Sequence, residues 1–455
     1  MYHHFFRMTE AAAPLPFSSS GAEAIERVVE ASVDSLDDIP YDFEDFFNVE
    51  ETLRVILENN HSRVSLQFPD ALLWASTRLQ TMLQERAMEK DPNVRVCVLA
   101  DTSYGNCCVD EIAAQHFSST LIVHYGHACL SSNSNRLSVF YVFGKKPACI
   151  SQLVDQNLSS VLDSLPTEPA PHHKVFVFYD PVYHHEVDEI RAALQAVDER
   201  IQLCEISDLS AHVTRLETPS KDQNNICDEQ QNDSCCGSGS KSCNEAKCES
   251  QTPQIVSIQS LPMEDPLSYI NATDDFRFVS IFGRKAPAAI EQADNQTVFL
   301  WIGGSDSICL RNLKMRFNSC KFFLWQAEKQ KLEEERILTR SLMQRYGLVQ
   351  KAKESDLIGI VVGTLAVSRY LQMVNYVKKI IKDAGKNYYL YVVGKINPYK
   401  LANFPEVGVF VLIACHENSA IDSRDFYKPV ITPFELQLAL VRFVYSLLSF
   451  SRCIY

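Results

Sequence analysis

Short, almost uninterrupted apolar segments recur along this chain, and longer segments with helical periodicity separate them. Good examples are residues 94–100 (Val-Arg-Val-Cys-Val-Leu-Ala), 174–179 (Lys-Val-Phe-Val-Phe-Tyr), 297–302 (Thr-Val-Phe-Leu-Trp-Ile) and 407–413 (Val-Gly-Val-Phe-Val-Leu-Ile). Segments of this kind are typical of strands that a parallel sheet buries on both faces. Strands that alternate with helices imply parallel pairing through right-handed crossovers. The sequence therefore predicts an α/β protein.

The same order of strands and helices recurs in three successive stretches, although no sequence motif is repeated. We predict three similar α/β domains, at 49–148, 149–326 and 327–455. The last of these is expected to open with a long charged helix at 327–346.

Two segments do not fit this pattern. Residues 1–48 are acidic and contain serine-rich stretches, and we predict a poorly ordered N-terminal arm. Residues 220–253 consist mainly of Asn, Gln, Ser, Asp, Gly and Lys, which is typical of a disordered insertion in a loop. The insertion holds five cysteines, which we interpret as part of this spacer: Cys227, Cys235, Cys236, Cys243 and Cys248.

The overall charge and the cysteine content narrow the class of protein. A net charge of −14 argues against a dedicated nucleic-acid binder, which would carry a basic patch. The chain has no run of about 20 apolar residues and no apolar segment after a basic start, so we expect a cytoplasmic protein without a membrane span. In the reducing cytosol, its fifteen cysteines are metal ligands, reactive thiols or core residues rather than disulfides.

Cysteines follow predicted strands in three places, at 101–111, 124–129 and 407–415. Ligands of parallel α/β sheets bind at the carboxyl ends of the strands, so these cysteines could meet at one edge. Gly105 and Gly126 would let the backbone approach a bulky inorganic group.

The residues alone leave three interpretations of these cysteines open. Three thiolates suit a [4Fe–4S] cluster with one open iron that can accept a small molecule. Three cysteines together with His127 or His416 would suit zinc. Buried cysteines are also common as small apolar residues.

Three segments, at 99–111, 122–130 and 392–415, resemble the diphthamide-synthesis family, an unusual radical-SAM group. The stretch at 393–406 (Val-Gly-Lys-Ile-Asn-Pro-Tyr-Lys-Leu-Ala-Asn-Phe-Pro-Glu) is similar to the non-catalytic eukaryotic member of the pair. The resemblance spans most of 50–455 and is loose in the middle domain. It implies three similar parallel-sheet α/β domains arranged around a [4Fe–4S] cluster.

The resemblance also implies a ligand set. In the catalytic members each domain contributes one cysteine, whereas the second subunit has two in the first domain and one in the third. On this pattern the ligands are Cys108, Cys129 and Cys415. Adjacent side chains of an extended segment diverge, so we expect only one of Cys107 and Cys108 to bind, and the spacing to Cys129 favours Cys108.

The middle domain has two further candidates, Cys309 and Cys320, which we interpret as packing residues. The surroundings of Cys309 do not resemble the cysteine loop of the catalytic subunit. This departure from the family pattern puts independent cleavage of S-adenosylmethionine in doubt.

The resemblance implies an accessory subunit that forms a heterodimer with a catalytic subunit. The complex transfers a 3-amino-3-carboxypropyl group from S-adenosylmethionine, bound by the catalytic partner, to a histidine of elongation factor 2. The cluster of the accessory subunit would pass electrons from an electron-donor protein to the partner's cluster or help to maintain that cluster. Two alternatives remain: a chain that itself cleaves S-adenosylmethionine, and a structural partner whose cysteines are packed or bind zinc.

Overall fold

The structure, a computed structural model, describes residues 42–100, 105–133, 136–156, 158–165, 174–206, 278–335, 339–365, 367–419, 421 and 426–440. The predicted insertion and all but the end of the predicted acidic arm lie outside these ranges. Within them, no helix combines the length and the apolar character that crossing a lipid bilayer requires.

The first unit is a parallel sheet of four strands with helices packed against it. Its strands are β1 (Arg63–Gln67), β2 (Arg95–Val98), β3 (Leu121–Tyr125) and β4 (Ser138–Val142). Its helices are α1 (Phe43–Phe46), α2 (Val49–Glu58), α3 (Ser76–Lys90) and α4 (Glu111–His116). Strand β3 is buried along its whole length, as its apolar sequence predicts, and pairs with β1 and β4. The helix α2 turns Leu53 and Ile56 into the core beside Val64 of β1.

The second unit has a five-stranded sheet and a small antiparallel sheet. The main sheet contains β5 (Val175–Tyr179), β6 (Ile201–Leu203), β10 (Val298–Ile302), β11 (Lys321–Gln326) and β12 (Lys331–Glu335). The small sheet contains β7 (Glu205–Ile206), β8 (Phe278–Ile281) and β9 (Arg284–Pro287). The helices are α5 (Ile150–Gln156), α6 (Leu158–Leu162), α7 (Val187–Gln195) and α8 (Ile308–Arg316). Trp301 and Trp325 are fully buried in its two hydrophobic cores.

The third unit is again a parallel sheet of four strands. Its strands are β13 (Leu357–Val362), β14 (Asn387–Val392), β15 (Val409–Ile413) and β16 (Val430–Ile431). Its helices are α9 (Thr339–Glu354), α10 (Tyr370–Asp383), α11 (Pro398–Ala402), α12 (His416–Ser419) and α13 (Pro433–Leu440). A buried ion pair joins α9 to α13, because Arg345 Nε donates to Glu435 Oε1 at 2.6 Å.

The three main sheets share one strand order. In each sheet the unit's first strand lies between its second and third strands, and the fourth lies beyond the third. The orders across the sheets are β2-β1-β3-β4, β6-β5-β10-β11 and β14-β13-β15-β16. All pairs in these runs are parallel. The predicted fold class, three similar parallel-sheet α/β units, is therefore confirmed.

The long charged helix predicted at 327–346 is wrong in its first half. A single 3-10 turn, Ala327–Lys329, is followed by β12, which pairs antiparallel with β11 and extends the second sheet. The helix α9 begins only at Thr339. The Lys-Leu-Glu-Glu-Glu sequence of β12 contains good helix formers, and its strand conformation comes from pairing at a sheet edge, where charged residues are tolerated.

Candidate metal centre

Four cysteine thiols meet at the junction of the first and third units. The sulfurs of Cys107, Cys108, Cys129 and Cys415 all lie within 4.8 Å of one another. They form two close pairs: Cys107 Sγ is 3.8 Å from Cys415 Sγ, and Cys108 Sγ is 3.9 Å from Cys129 Sγ. Three of the four are buried, and Cys107 is partly buried. The structure thus brings together the three predicted cysteines and also the one that we expected to point away.

A turn explains why both adjacent cysteines face the site. The N–H of Cys108 donates to the carbonyl of Gly105 at 3.0 Å, so residues 105–108 are not extended and the two side chains do not diverge. The N–H of Cys129 donates to the carbonyl of Cys107 at 3.0 Å, which ties the turn to the loop after β3. The Gly105-Asn106 dipeptide is a turn signal, and it could have revealed this arrangement in the sequence.

The side chain of Gln67, at the end of β1, holds the cysteine turn against the sheet. Its Nε2 donates to the carbonyl of Cys108 at 2.8 Å, and its Oε1 accepts from the N–H of Asp110 at 2.9 Å. Asp110 in turn caps α4, since its Oδ1 accepts from the N–H of Ala113 at 2.9 Å. Asp110 is thus the N-cap of this helix, and no sequence pattern indicates the role of Gln67.

The other two cysteines occupy equivalent positions in their units. Cys129 follows β3, and Cys415 follows β15, the third strand of each sheet in chain order. Because the carboxyl ends of parallel strands lie at one edge of a sheet, each of these thiols lies at that edge of its own sheet. The corresponding strand of the second unit, β10, leads into α8, which carries Cys309.

Polar contacts join all three units next to the sulfurs. His127 Nε2 lies 2.9 Å from both carboxylate oxygens of Glu417, which links the first unit to the third. Ser131 Oγ lies 3.2 Å from His416 Nδ1 across the same boundary. Asn312 Nδ2, from the second unit, donates to the carbonyl of His416 at 2.9 Å. The sulfur site is therefore held by contacts from every unit.

Neither histidine proposed as a zinc ligand belongs to the group of ligand atoms found among the described residues. His127 pairs with Glu417, and His416 contacts Ser131 instead. A third histidine, His124, is buried behind the turn, and burial lowers its pKa to about 4, so its ring is neutral near pH 7.

The cysteines of the second unit lie apart from the site, as predicted. Cys309 is buried in the core of that unit and accepts a hydrogen bond from Arg284 Nη1 at 3.3 Å. Burial raises the pKa of Cys309 to about 12 and that of Cys320, in the same core, to about 12. Both are therefore protonated, packed thiols. The five cysteines of the insertion lie outside the described residues.

The four clustered thiols affect one another's ionisation. Hydrogen bonding to Cys108, Cys129 and Cys415, together with burial, raises the pKa of Cys107. Hydrogen bonding from the other three lowers the pKa of Cys415. Metal ligation requires thiolates, so a bound cation would take the place of the protons on these thiols.

The donor set fits a thiolate-bound metal group. A metal–sulfur bond of about 2.3 Å separates tetrahedral ligands by about 3.8 Å, which matches both close pairs. A [4Fe–4S] cluster also takes four cysteine thiolates but holds them farther apart, because four irons lie between them. The cavity lined by Cys107, Cys108 and Cys129 has a volume of only about 10 Å³, so the four sulfurs would have to move apart to hold this larger group.

Fold and site together define a class: a protein of three α/β units with four clustered cysteine thiols, able to hold a metal group, where the units meet. The profile of the diphthamide synthesis protein family matches residues 68–261 and 268–446. The chain belongs to this family, and the resemblance seen in the sequence is confirmed.

Curated relatives specify the similarity further. The chain is 34% identical to 2-(3-amino-3-carboxypropyl)histidine synthase subunit 2 of Danio rerio over 86% of this chain and 67% of that protein. It is 33% identical to the protein of the same name from Schizosaccharomyces pombe, over 95% of this chain and 71% of that protein. The similarity to the second subunit therefore extends across nearly the whole chain.

A solved structure has the same fold. Dph2 from Pyrococcus horikoshii with a 4Fe-4S cluster superposes with a TM-score of 0.55 at 16% identity, over 88% of this chain and 92% of that chain. A second structure of that protein gives a TM-score of 0.54. The architecture of three units is thus that of this solved relative.

Proposed function

We propose that this chain is the iron–sulfur accessory subunit of a complex that transfers a 3-amino-3-carboxypropyl group from S-adenosylmethionine to a histidine of elongation factor 2. The observation that carries the proposal is the thiol site, buried where the units meet. Membership of the family and similarity to proteins named histidine synthase subunit 2 support the reaction, and the resemblance to the non-catalytic member of the pair supports the accessory role.

Cys108, Cys129 and Cys415 are the proposed ligands, two from the first domain and one from the third. The proposed domains remain 49–148, 149–326 and 327–455, with one adjustment. Since β12 pairs with β11, the boundary of the third domain moves to 336–338.

Among the residues that the structure describes, the second unit supplies no thiol to the site, which supports an accessory rather than a catalytic role. Its candidate, Cys309, is protonated and engaged by Arg284. When bound, the cluster would take up one electron from a low-potential donor protein and release one to the cluster of the catalytic subunit. The chain's own part is to bind the group through its thiolates and to keep water away by burial.

The partners follow from this role. We propose a heterodimer with the catalytic subunit, which binds S-adenosylmethionine, and contacts with elongation factor 2 and with an electron-donor protein in the cytoplasm. The negative net charge supports the absence of a nucleic-acid partner, and we propose no membrane partner.

Anaerobic purification and reconstitution of the isolated chain test the proposal directly. Iron, sulfide and zinc are measured, and the electron paramagnetic resonance (EPR) spectrum of the reduced protein is recorded with and without S-adenosylmethionine. A four-iron signal that S-adenosylmethionine does not change is the expected result. A signal that it does change would favour the alternative in which this chain itself cleaves S-adenosylmethionine.

The spacing of the sulfurs favours a second candidate, a structural subunit that binds zinc. The separations of 3.8 and 3.9 Å are those of ligands around a single tetrahedral ion. One zinc per chain and no iron after anaerobic reconstitution would refute the redox role and establish this candidate.

The ligand assignment is tested by substitution. Cys415→Ser should lower the iron content below that of the wild type, because this cysteine is the contribution of the third unit. Cys309→Ser is the matched control, since it removes a buried thiol outside the site. Full iron content in Cys415→Ser would show that the ligand set is wrong.

A further inference from the structure

We infer that Cys107 is a fourth thiolate ligand, so that the cluster of this subunit has no open iron. The inference rests on the proposed function, because it concerns how the same site holds its cluster. It contradicts the expectation that only one of the two adjacent cysteines binds.

The position of the Cys107 sulfur is the first argument. It lies 3.8 Å from the sulfur of Cys415, which is 308 positions away in the chain and belongs to another unit. Cys108 pairs with Cys129 within the first unit. The Cys107 sulfur therefore lies against the third-unit thiol and within the sulfur group, and does not point away from it.

The backbone around Cys107 is held from two sides. Its carbonyl accepts from the N–H of Cys129, and the turn that contains it is closed by the hydrogen bond between Cys108 and Gly105. Gln67 fixes the next residue to β1. The turn that places Cys108 in the site therefore also places the thiol of Cys107 there.

A side-chain amide from the third unit is directed at this sulfur. Asn418 Nδ2 lies 3.5 Å from Cys107 Sγ, and the N–H of Asn418 donates to the carbonyl of Cys415 at 3.1 Å. Amide donors around ligand sulfurs are typical of iron–sulfur sites, where they stabilise the thiolate form. Gly105 makes this contact possible, because a Cβ at that position would overlap the Asn418 amide.

Four thiolates complete the coordination of a [4Fe–4S] cluster. S-adenosylmethionine would then find no free coordination position, and the subunit could exchange electrons without activating this molecule. The described part of the second unit contributes no ligand, since the Cys309 thiol accepts a hydrogen bond from Arg284. On this inference the first unit contributes one more ligand instead.

Single and double substitutions of the adjacent pair test the inference on the reconstituted, full-length chain. Cys107→Ala, Cys108→Ala, the double variant and Cys97→Ala are compared by iron and sulfide content, by EPR after mild ferricyanide oxidation, and by EPR of the reduced form with S-adenosylmethionine. Cys97 is the control, because its thiol contacts Ser65 in the first unit and lies outside the site. Circular dichroism verifies folding, and Cys107→Ser repeats the test with a side chain of similar size.

With four ligands, both single variants should depart from the wild type and behave alike. Each should lose one of four irons on oxidation, with a three-iron signal, and each should respond to S-adenosylmethionine, whereas wild type and Cys97→Ala should do neither. The double variant should retain no cluster. If both single variants fail to load iron while the control loads fully, both thiols are required and the inference also stands.

Cys107→Ala with the iron content, oxidation behaviour and spectrum of the wild type would overturn the inference and leave the proposed function intact. A wild-type spectrum that shifts with S-adenosylmethionine would also overturn it. Zinc in place of iron in the wild type would instead refute the proposed function. Cys107 would then be judged by zinc affinity in the same variants, which should fall equally for Cys107→Ala and Cys108→Ala.

Discussion

Gln67→Ala should loosen the cysteine turn without unfolding the protein. The buried amide of Gln67 is the clamp between β1 and the turn, bonded to the carbonyl of Cys108 at 2.8 Å and to the N–H of Asp110 at 2.9 Å. Its removal leaves two buried backbone groups without these partners. Cys108 is the residue most directly affected.

The magnitude follows from the two lost hydrogen bonds. A buried backbone group without a partner costs about 1–3 kcal/mol, so the closed turn should be destabilised by roughly 2–6 kcal/mol. Even about 2 kcal/mol raises the population of the detached turn roughly 30-fold, because each 1.4 kcal/mol is a factor of ten. Release of iron through the detached state should accelerate by a similar factor.

The assay is the rate at which an iron chelator removes iron from the reconstituted chain under anaerobic conditions. Gln84→Ala is the matched control. Its side-chain amide also makes two backbone hydrogen bonds in the same unit, donating to the carbonyl of Val94 at 2.9 Å and accepting from the N–H of Val96 at 2.7 Å. These bonds lie at the start of β2, whereas the cysteine turn follows the end of that strand. The control should lower the thermal midpoint without accelerating iron release.

Iron release from Gln67→Ala at the wild-type rate would refute the reasoning. It would mean that the turn is held by the metal group and its thiolates alone, and that the hydrogen bonds of Gln67 add nothing. Equal acceleration in Gln84→Ala would also count against it, because release would then follow global rather than local opening.

Three further predictions follow from the same structure. Glu435→Gln should lower the free energy of unfolding in urea by about 3–5 kcal/mol, because it removes the carboxylate that pairs with the buried guanidinium of Arg345. Glu58→Gln, on an exposed helix face, should have almost no effect, and equal values for the two variants would contradict this. Burial lowers the pKa of His127, but Glu417 outweighs it and the net pKa is raised. The free energy by which this ion pair stabilises the fold is therefore fully present below the unfolded pKa of about 6.5, and it is lost as the pH rises through the higher pKa of the folded state. The thermal midpoint of the wild type should fall more steeply over that range than that of Glu417→Gln, and parallel curves would exclude the pair. Gly105→Ala should displace the neighbouring amide and accelerate iron loss, and normal iron retention would refute the close packing.

Much of the fold could be predicted because buried parallel strands are apolar throughout. The strands β3, β5, β10 and β15 are buried at every residue, and a run of mostly apolar residues predicts each of them. No sequence pattern predicts the strand β12, because an edge strand does not need apolar residues and its conformation depends on pairing with β11.

The sequence by itself determined the three α/β units, the family and the cysteines that follow the third strands. Chain direction and strand order place those residues at sheet edges whatever the side-chain details. Only the tertiary structure decided which thiols meet. The sulfurs of Cys107 and Cys415 lie 3.8 Å apart although the two residues are 308 positions apart in the chain. Cys107 faces the site together with Cys108 because residues 105–108 form a turn, which Gln67 holds against β1. Such contacts depend on how separate units pack, which no local pattern of residues encodes.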